Sequence, residues 1–134
     1  MEMLQGQRMR LFTLVEFVVV LLMIGFLALA AVPRLAAARE DSLRAATRSA
    51  LESVVVEQGR YVGEHGRYAA AAARLSVRLG SGVSVRIHQA DAGGWSGTVE
   101  HAGLPGERCG VFVGSADPFA AAPASQEGLV RCTF

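Results

Sequence analysis

The residues able to do chemistry in this 134-residue chain are few and far apart. Glu16 is the one charge in an apolar run of 22 residues, 11–32. Two cysteines, Cys109 and Cys132, stand in the C-terminal quarter. Three histidines, His65, His88 and His101, fall in three different segments. A carboxylate inside an apolar helix needs either a cation or a place near the headgroups, since it costs about 2.5–3.5 kcal/mol at a bilayer centre. An even cysteine pair in a small exported domain reads as one disulfide. It would close a loop of 24 residues, counting both ends, and stabilise by roughly 3 kcal/mol in the loop-entropy model. Two separate buried thiols are the other reading. No Cys/His cluster and no Gly-rich phosphate loop is present. The expectation is therefore no metal, no cofactor and no catalysis. Glu107, Asp117 and Glu127 read as solvated loop acids. Tyr61 and Tyr68 read as core packing at a helix end, with electron hopping as the sharper alternative.

The element that must position Glu16 is the apolar run itself. As a helix, 22 residues span roughly 33 Å, enough for a hydrocarbon core of about 30 Å. Arg8 and Arg10 precede it, and Pro33 and Arg34 follow. Leading arginines favour a cytoplasmic N-terminus, although Arg34, Arg39, Arg44 and Arg48 stand on the other side. The same residues also fit a secretory signal, with residues 1–10 as the basic region and Ala28-Leu29-Ala30 as a small-residue cleavage site. Against this stand the internal acid and the length of the run.

Residues 35–58 hold no Gly or Pro and are rich in Ala, Leu, Arg and Glu, which predicts a helix. Leu43, Thr47, Ala50, Leu51, Val54, Val55, Gln58, Tyr61 and Val62 recur at three- and four-residue spacing and define one mostly apolar face. Glu40 and Arg44 form an i,i+4 pair on another. The simplest arrangement is one helix continuing out of the apolar run, with Pro33 a kink or local break and Gly66 a left-handed stop. Residues 68–79 read as a short helix or an irregular crossing.

The period then changes to two. Val83, Val85 and Ile87 alternate with Ser84, Arg86 and His88, and residues 95–101 resume after a Gly-rich turn. A three-residue loop, 92–94, would pair Ile87 with Val99, Val85 with His101 and Arg86 with Glu100, with Trp95 facing the core. A four-residue loop would set Val85 against Glu100. Residues 108–114 read as a third strand and 128–134 as a short last one. Residues 115–127 read as a surface loop held at its base by the cysteines. Net charge is +1, so no nucleic-acid partner is indicated.

The stretch FTLVE, residues 12–16, followed by about twenty apolar residues and a proline, resembles the N-terminus of type IV pilins and type II secretion pseudopilins. YVGEHGRYA, residues 61–69, looks like the helix-end segment of short bacterial pilins, and the cysteine pair resembles the loop that closes many pilin heads. The resemblance implies that a prepilin peptidase cuts between Leu11 and Phe12 and that the new Phe12 amine is methylated. The family carries glycine before the cut, where this chain has Leu11; its nearest glycine, Gly6, would destroy the Phe12–Glu16 register. Glu16 would face the Phe12 amine of a neighbouring subunit, Pro33 would match the family's helix-bending proline, and Gly25, Ala28, Ala30 and Ala31 would allow close helix approach.

The resulting expectation is an α+β, type IV pilin-like fold. A leader occupies 1–11, a transmembrane and filament-core helix 12–33, its amphipathic half 34–66, and a globular head with antiparallel sheet and disulfide loop 67–134. The implied protein is not an enzyme. It is a structural filament subunit whose partners are copies of itself, the prepilin peptidase, an inner-membrane assembly platform and, before assembly, the membrane. Its head would lie outside the cytoplasm, and the filament would be extracellular or periplasmic. The alternative is a signal-anchored periplasmic binding module that does not polymerise.

Overall fold

The structure, a computed structural model, describes the backbone of residues 2–134 and the side chains of residues 13–134. The chain divides into two compact units, Met1–Arg39 and Glu40–Phe134. One helix, α1 (Glu2–His65), runs through the division, and its helical assignment is unbroken at Pro33. It stops where the sequence permits a stop. Gly66 adopts φ +72°, and its N–H bonds the Val62 carbonyl at 2.8 Å.

In the second unit the predicted apolar face of α1 is the buried one. Thr47, Leu51, Val54 and Gln58 are all buried, at spacings of four, three and four. Leu51 and Val54 join Trp95, Val99, Cys109 and Val111 in one core, with Ala69 and Leu75. Each fully buried large apolar side chain contributes about 1.5–3 kcal/mol. The two polar residues on this face are satisfied. Thr47 Oγ1 donates to the Leu43 carbonyl at 2.7 Å. Gln58 clamps Ala69 twice: its Nε2 donates to the Ala69 carbonyl (2.9 Å) and its Oε1 accepts from the Ala69 N–H (2.8 Å). That pair of hydrogen bonds fixes where the chain turns back after the helix. The following segment is irregular apart from a single 3-10 turn, Ala72–Arg74.

The sheet has four antiparallel strands in the order β1-β2-β3-β4: β1 (Val83–Ala90), β2 (Gly94–His101), β3 (Arg108–Gly114) and β4 (Arg131–Cys132). The first hairpin differs from the expected register. Ala90 pairs with Trp95, which leaves a four-residue loop, 91–94. Asp91 closes it, its Oδ1 accepting from the N–H groups of Gly93 (2.7 Å) and Gly94 (2.9 Å). In an unbroken ladder this loop would press Val85 against Glu100. A bulge at His88, between Ile87 and Gln89, removes the conflict and sets Val85 opposite Val99 and Val83 opposite His101. Arg86 therefore faces Thr98, and Ser84 faces Glu100. Ile87 lies opposite Gly97, where an added Cβ would meet the Trp95 ring at 2.8 Å. The indole occupies the place a side chain at 97 would take.

Two further expectations change. The last strand is only Arg131–Cys132, because Gly128 at φ +74° turns the chain and leaves isolated bonds to β3, such as Gly128 N–H to the Phe112 carbonyl at 2.8 Å. Residues 115–127 are not simply a surface loop. Asp117 caps a 3-10 turn, Pro118–Ala121, and Ala116, Ala121 and Ala124 are buried. The turn packs on β2 and β3. At Gly110, β3 meets it with no side chain: an added Cβ there would collide with the Ala121 carbonyl.

Candidate functional site

The large apolar side chains from Leu14 to Leu35 are exposed, Phe26 at 77%. Among the described residues of the first unit, none covers them. Exposed apolar surface on this scale marks an interaction with a membrane or with other chains. The helix is long and apolar enough to cross a membrane, by length and composition. Glu16 sits in this surface, itself exposed, one turn from Val19 and Val20. No cation pairs with it among the described residues. Pro33 lies 17 positions further on, roughly 25 Å along the helix axis. The expected cleavage and methylation positions, Leu11 and Phe12, lie outside the residues whose side chains are described.

The cysteines belong to the second unit. Cys109 and Cys132 are cross-strand partners on β3 and β4 and form a disulfide. The chain therefore carries two features, an exposed apolar helical stretch with one carboxylate and a small disulfide-closed domain. No family model and no curated protein sequence matches the chain.

Two of the histidines and both tyrosines have local work. His65 stacks on Tyr61, ring centroids 4.0 Å apart. Tyr61 and Tyr68 both pack against the core. His101 Nδ1 accepts from the Gly103 N–H at 2.9 Å. Among the described residues, no three His, Cys, Asp or Glu side chains are placed to hold a metal ion.

The three loop acids expected to be solvated all have partners. Asp117 Oδ1 accepts from the Phe119 N–H (2.9 Å), and Glu127 Oε1 accepts from the Gly114 N–H (2.8 Å). Glu107 takes a two-pronged contact from Arg44, with Nη2 to Oε1 at 3.0 Å and Nε to Oε2 at 3.2 Å. Arg44 also reaches Glu40 at 3.8 Å, the expected helical pair, and Asp41 at 3.5 Å. Its guanidinium lies 5.8 Å from the centre of the Phe134 ring. No local pattern could have revealed the Arg44–Glu107 pair, since 63 residues separate its members.

The hydrogen bond from Arg44 holds the Glu107 carboxyl below its ordinary range, against an opposing push from desolvation. A lowered folded-state pKa stabilises above the ordinary carboxylate value of about 4.3 and is lost as pH falls through the lowered one. Glu107→Gln should therefore cost stability at neutral pH. The gap to the wild type should close on acidification, read from denaturant midpoints at neutral pH and near pH 3. A gap that is constant with pH would mean that the pair is not the cause.

Proposed function

We propose that this chain is a structural subunit of a type IV pilus-like or type II secretion pseudopilus filament, with a pilin-like fold. The observation that carries the reading is the exposed apolar stretch from Leu14 to Leu35, with Glu16 as its single acid. One surface would serve twice: it anchors the precursor in the bilayer and later packs at the filament axis. Both environments are apolar, so the same side chains suit each. The disulfide-closed domain favours an extracytoplasmic head, where such bonds persist.

The FTLVE motif supports processing before Phe12. Purified surface filaments, imaged and then analysed by N-terminal sequencing and mass spectrometry, test this. The expected subunit begins at Phe12 with a methylated amine. A protein beginning at Ala31 is a cleaved secretory product, and one retaining Met1 with no filaments is a permanently anchored module. Either result removes the filament reading.

A further inference from the structure

The outer face of the sheet holds a cleft of about 120 Å³ lined by Ser84, Arg86, His88, Thr98, Glu100 and Arg108. Two cross-strand rows build it, Arg86–Thr98–Gly110 and Ser84–Glu100–Arg108. The two arginines stand at opposite corners, on β1 and β3. Thr98, nearly buried, lies between them on the central strand. The Gly110 corner has no side chain and abuts the Ala121 carbonyl. The β1 bulge lets consecutive residues act on this face. His88 Nε2 shares a hydrogen bond with Thr98 Oγ1 at 2.8 Å, while Gln89 Oε1 accepts from the Asp117 N–H at 3.2 Å and ties down the overlying segment.

Neither Arg86 nor Arg108 has a side-chain ion pair or hydrogen bond among the described residues. Their forks are free to take an oxyanion, and guanidinium geometry suits phosphate. The Ser84 hydroxyl adds a donor, and Thr98 adds another when His88 Nε2–H is the donor in their shared bond. Glu100 is the discordant group, because an ionised carboxylate only accepts hydrogen bonds. It repels a fully deprotonated anion but bonds an anion that still carries a proton. We propose that this cleft binds inorganic hydrogen phosphate, with Arg86 and Arg108 on its charged oxygens and Glu100 accepting from its P–OH.

Sulfate has the same shape and no proton at neutral pH. A phosphomonoester, whose second pKa is about 6, has also lost its proton by pH 7. A site built around one hydrogen bond discriminates against analogues that lack it. Calorimetric titration of the full chain in detergent at pH 7, with phosphate, sulfate and glycerol phosphate in turn, tests the assignment. Phosphate should bind at least about tenfold more tightly than either analogue. Glu100→Gln should bring the three together, since an amide can donate to a deprotonated oxygen. Arg86→Ala and Arg108→Ala should each weaken phosphate binding by about tenfold, with Arg86→Lys between. Both arginines are exposed, and unfolding curves followed at Trp95 verify that the variants fold. Sulfate or glycerol phosphate binding as tightly as phosphate overturns the assignment. So does an unchanged affinity in the arginine variants, or no heat at millimolar phosphate.

Discussion

Cys132→Ala is expected to lower the stability of the Glu40–Phe134 unit by about 2–5 kcal/mol, the range for a disulfide lost from a small secreted domain. The magnitude follows from what the bond holds. β4 has two residues and two ladder pairs, Cys109 with Cys132 and Gly110 with Arg131, too few to stay paired unaided. Between β3 and β4 runs the segment whose Ala116, Ala121 and Ala124 are buried. Opening the bond releases both ends of that layer from a common base. Trp95 is the only tryptophan and is almost wholly buried, so its fluorescence reports the core. Denaturant unfolding of the full chain in detergent, oxidised against Cys132→Ala, gives the difference. Cys109→Ala should cost more, because Cys109 is itself in the core and its truncation leaves a void. Equal midpoints for oxidised wild type and Cys132→Ala would show that the bond adds nothing.

The helix stop, the inward face of α1, β3 and the cysteine pair were legible because each is written locally. Gly66 follows a helical run, spacings of three and four mark the buried stripe, and alternation marks Cys109, Val111 and Val113. The hairpin register was not legible. Its loop length and its bulge each shift the pairing by one residue in the same direction, so together they move it by two and restore only the facing. Given the four-residue loop, it is the bulge that keeps Val85 from Glu100. The polar contacts were hidden for a different reason. Gln58 looked like one more position on an apolar stripe, yet it serves as a backbone clamp for Ala69, eleven residues on. Arg44 and Glu107 meet only because the fold brings them together. For the candidate site, the apolar run and its lone acid were plain in the sequence, because hydropathy is a property of composition. The outer-face cleft was not, since its six residues come from three strands whose register had to be known first.

Glu16→Ala is expected to leave membrane insertion intact and to cut filament yield by more than about tenfold. Insertion should if anything improve, because the substitution removes the only charge from the apolar span. The loss falls on assembly. In a dry filament core the Phe12 amine of one subunit would lie against Glu16 of the next, and each charge alone is costly to bury. Removing one partner of a buried pair costs about 3–5 kcal/mol, because the other is left uncompensated. Glu16→Gln keeps the shape and an acceptor oxygen but not the charge, so it should assemble better than alanine and worse than wild type. The pairing is between neighbours, which adds a second expectation. A Glu16→Ala subunit still offers its own amine, so it should enter filaments sparsely when wild-type protein is in excess. Surface filament yield against total membrane-bound protein measures the first effect, and the mutant fraction in mixed filaments measures the second. Wild-type yields from both single variants would leave Glu16 a headgroup-level acid with no part in assembly. Exclusion of Glu16→Ala from mixed filaments would mean that the carboxylate acts within its own subunit.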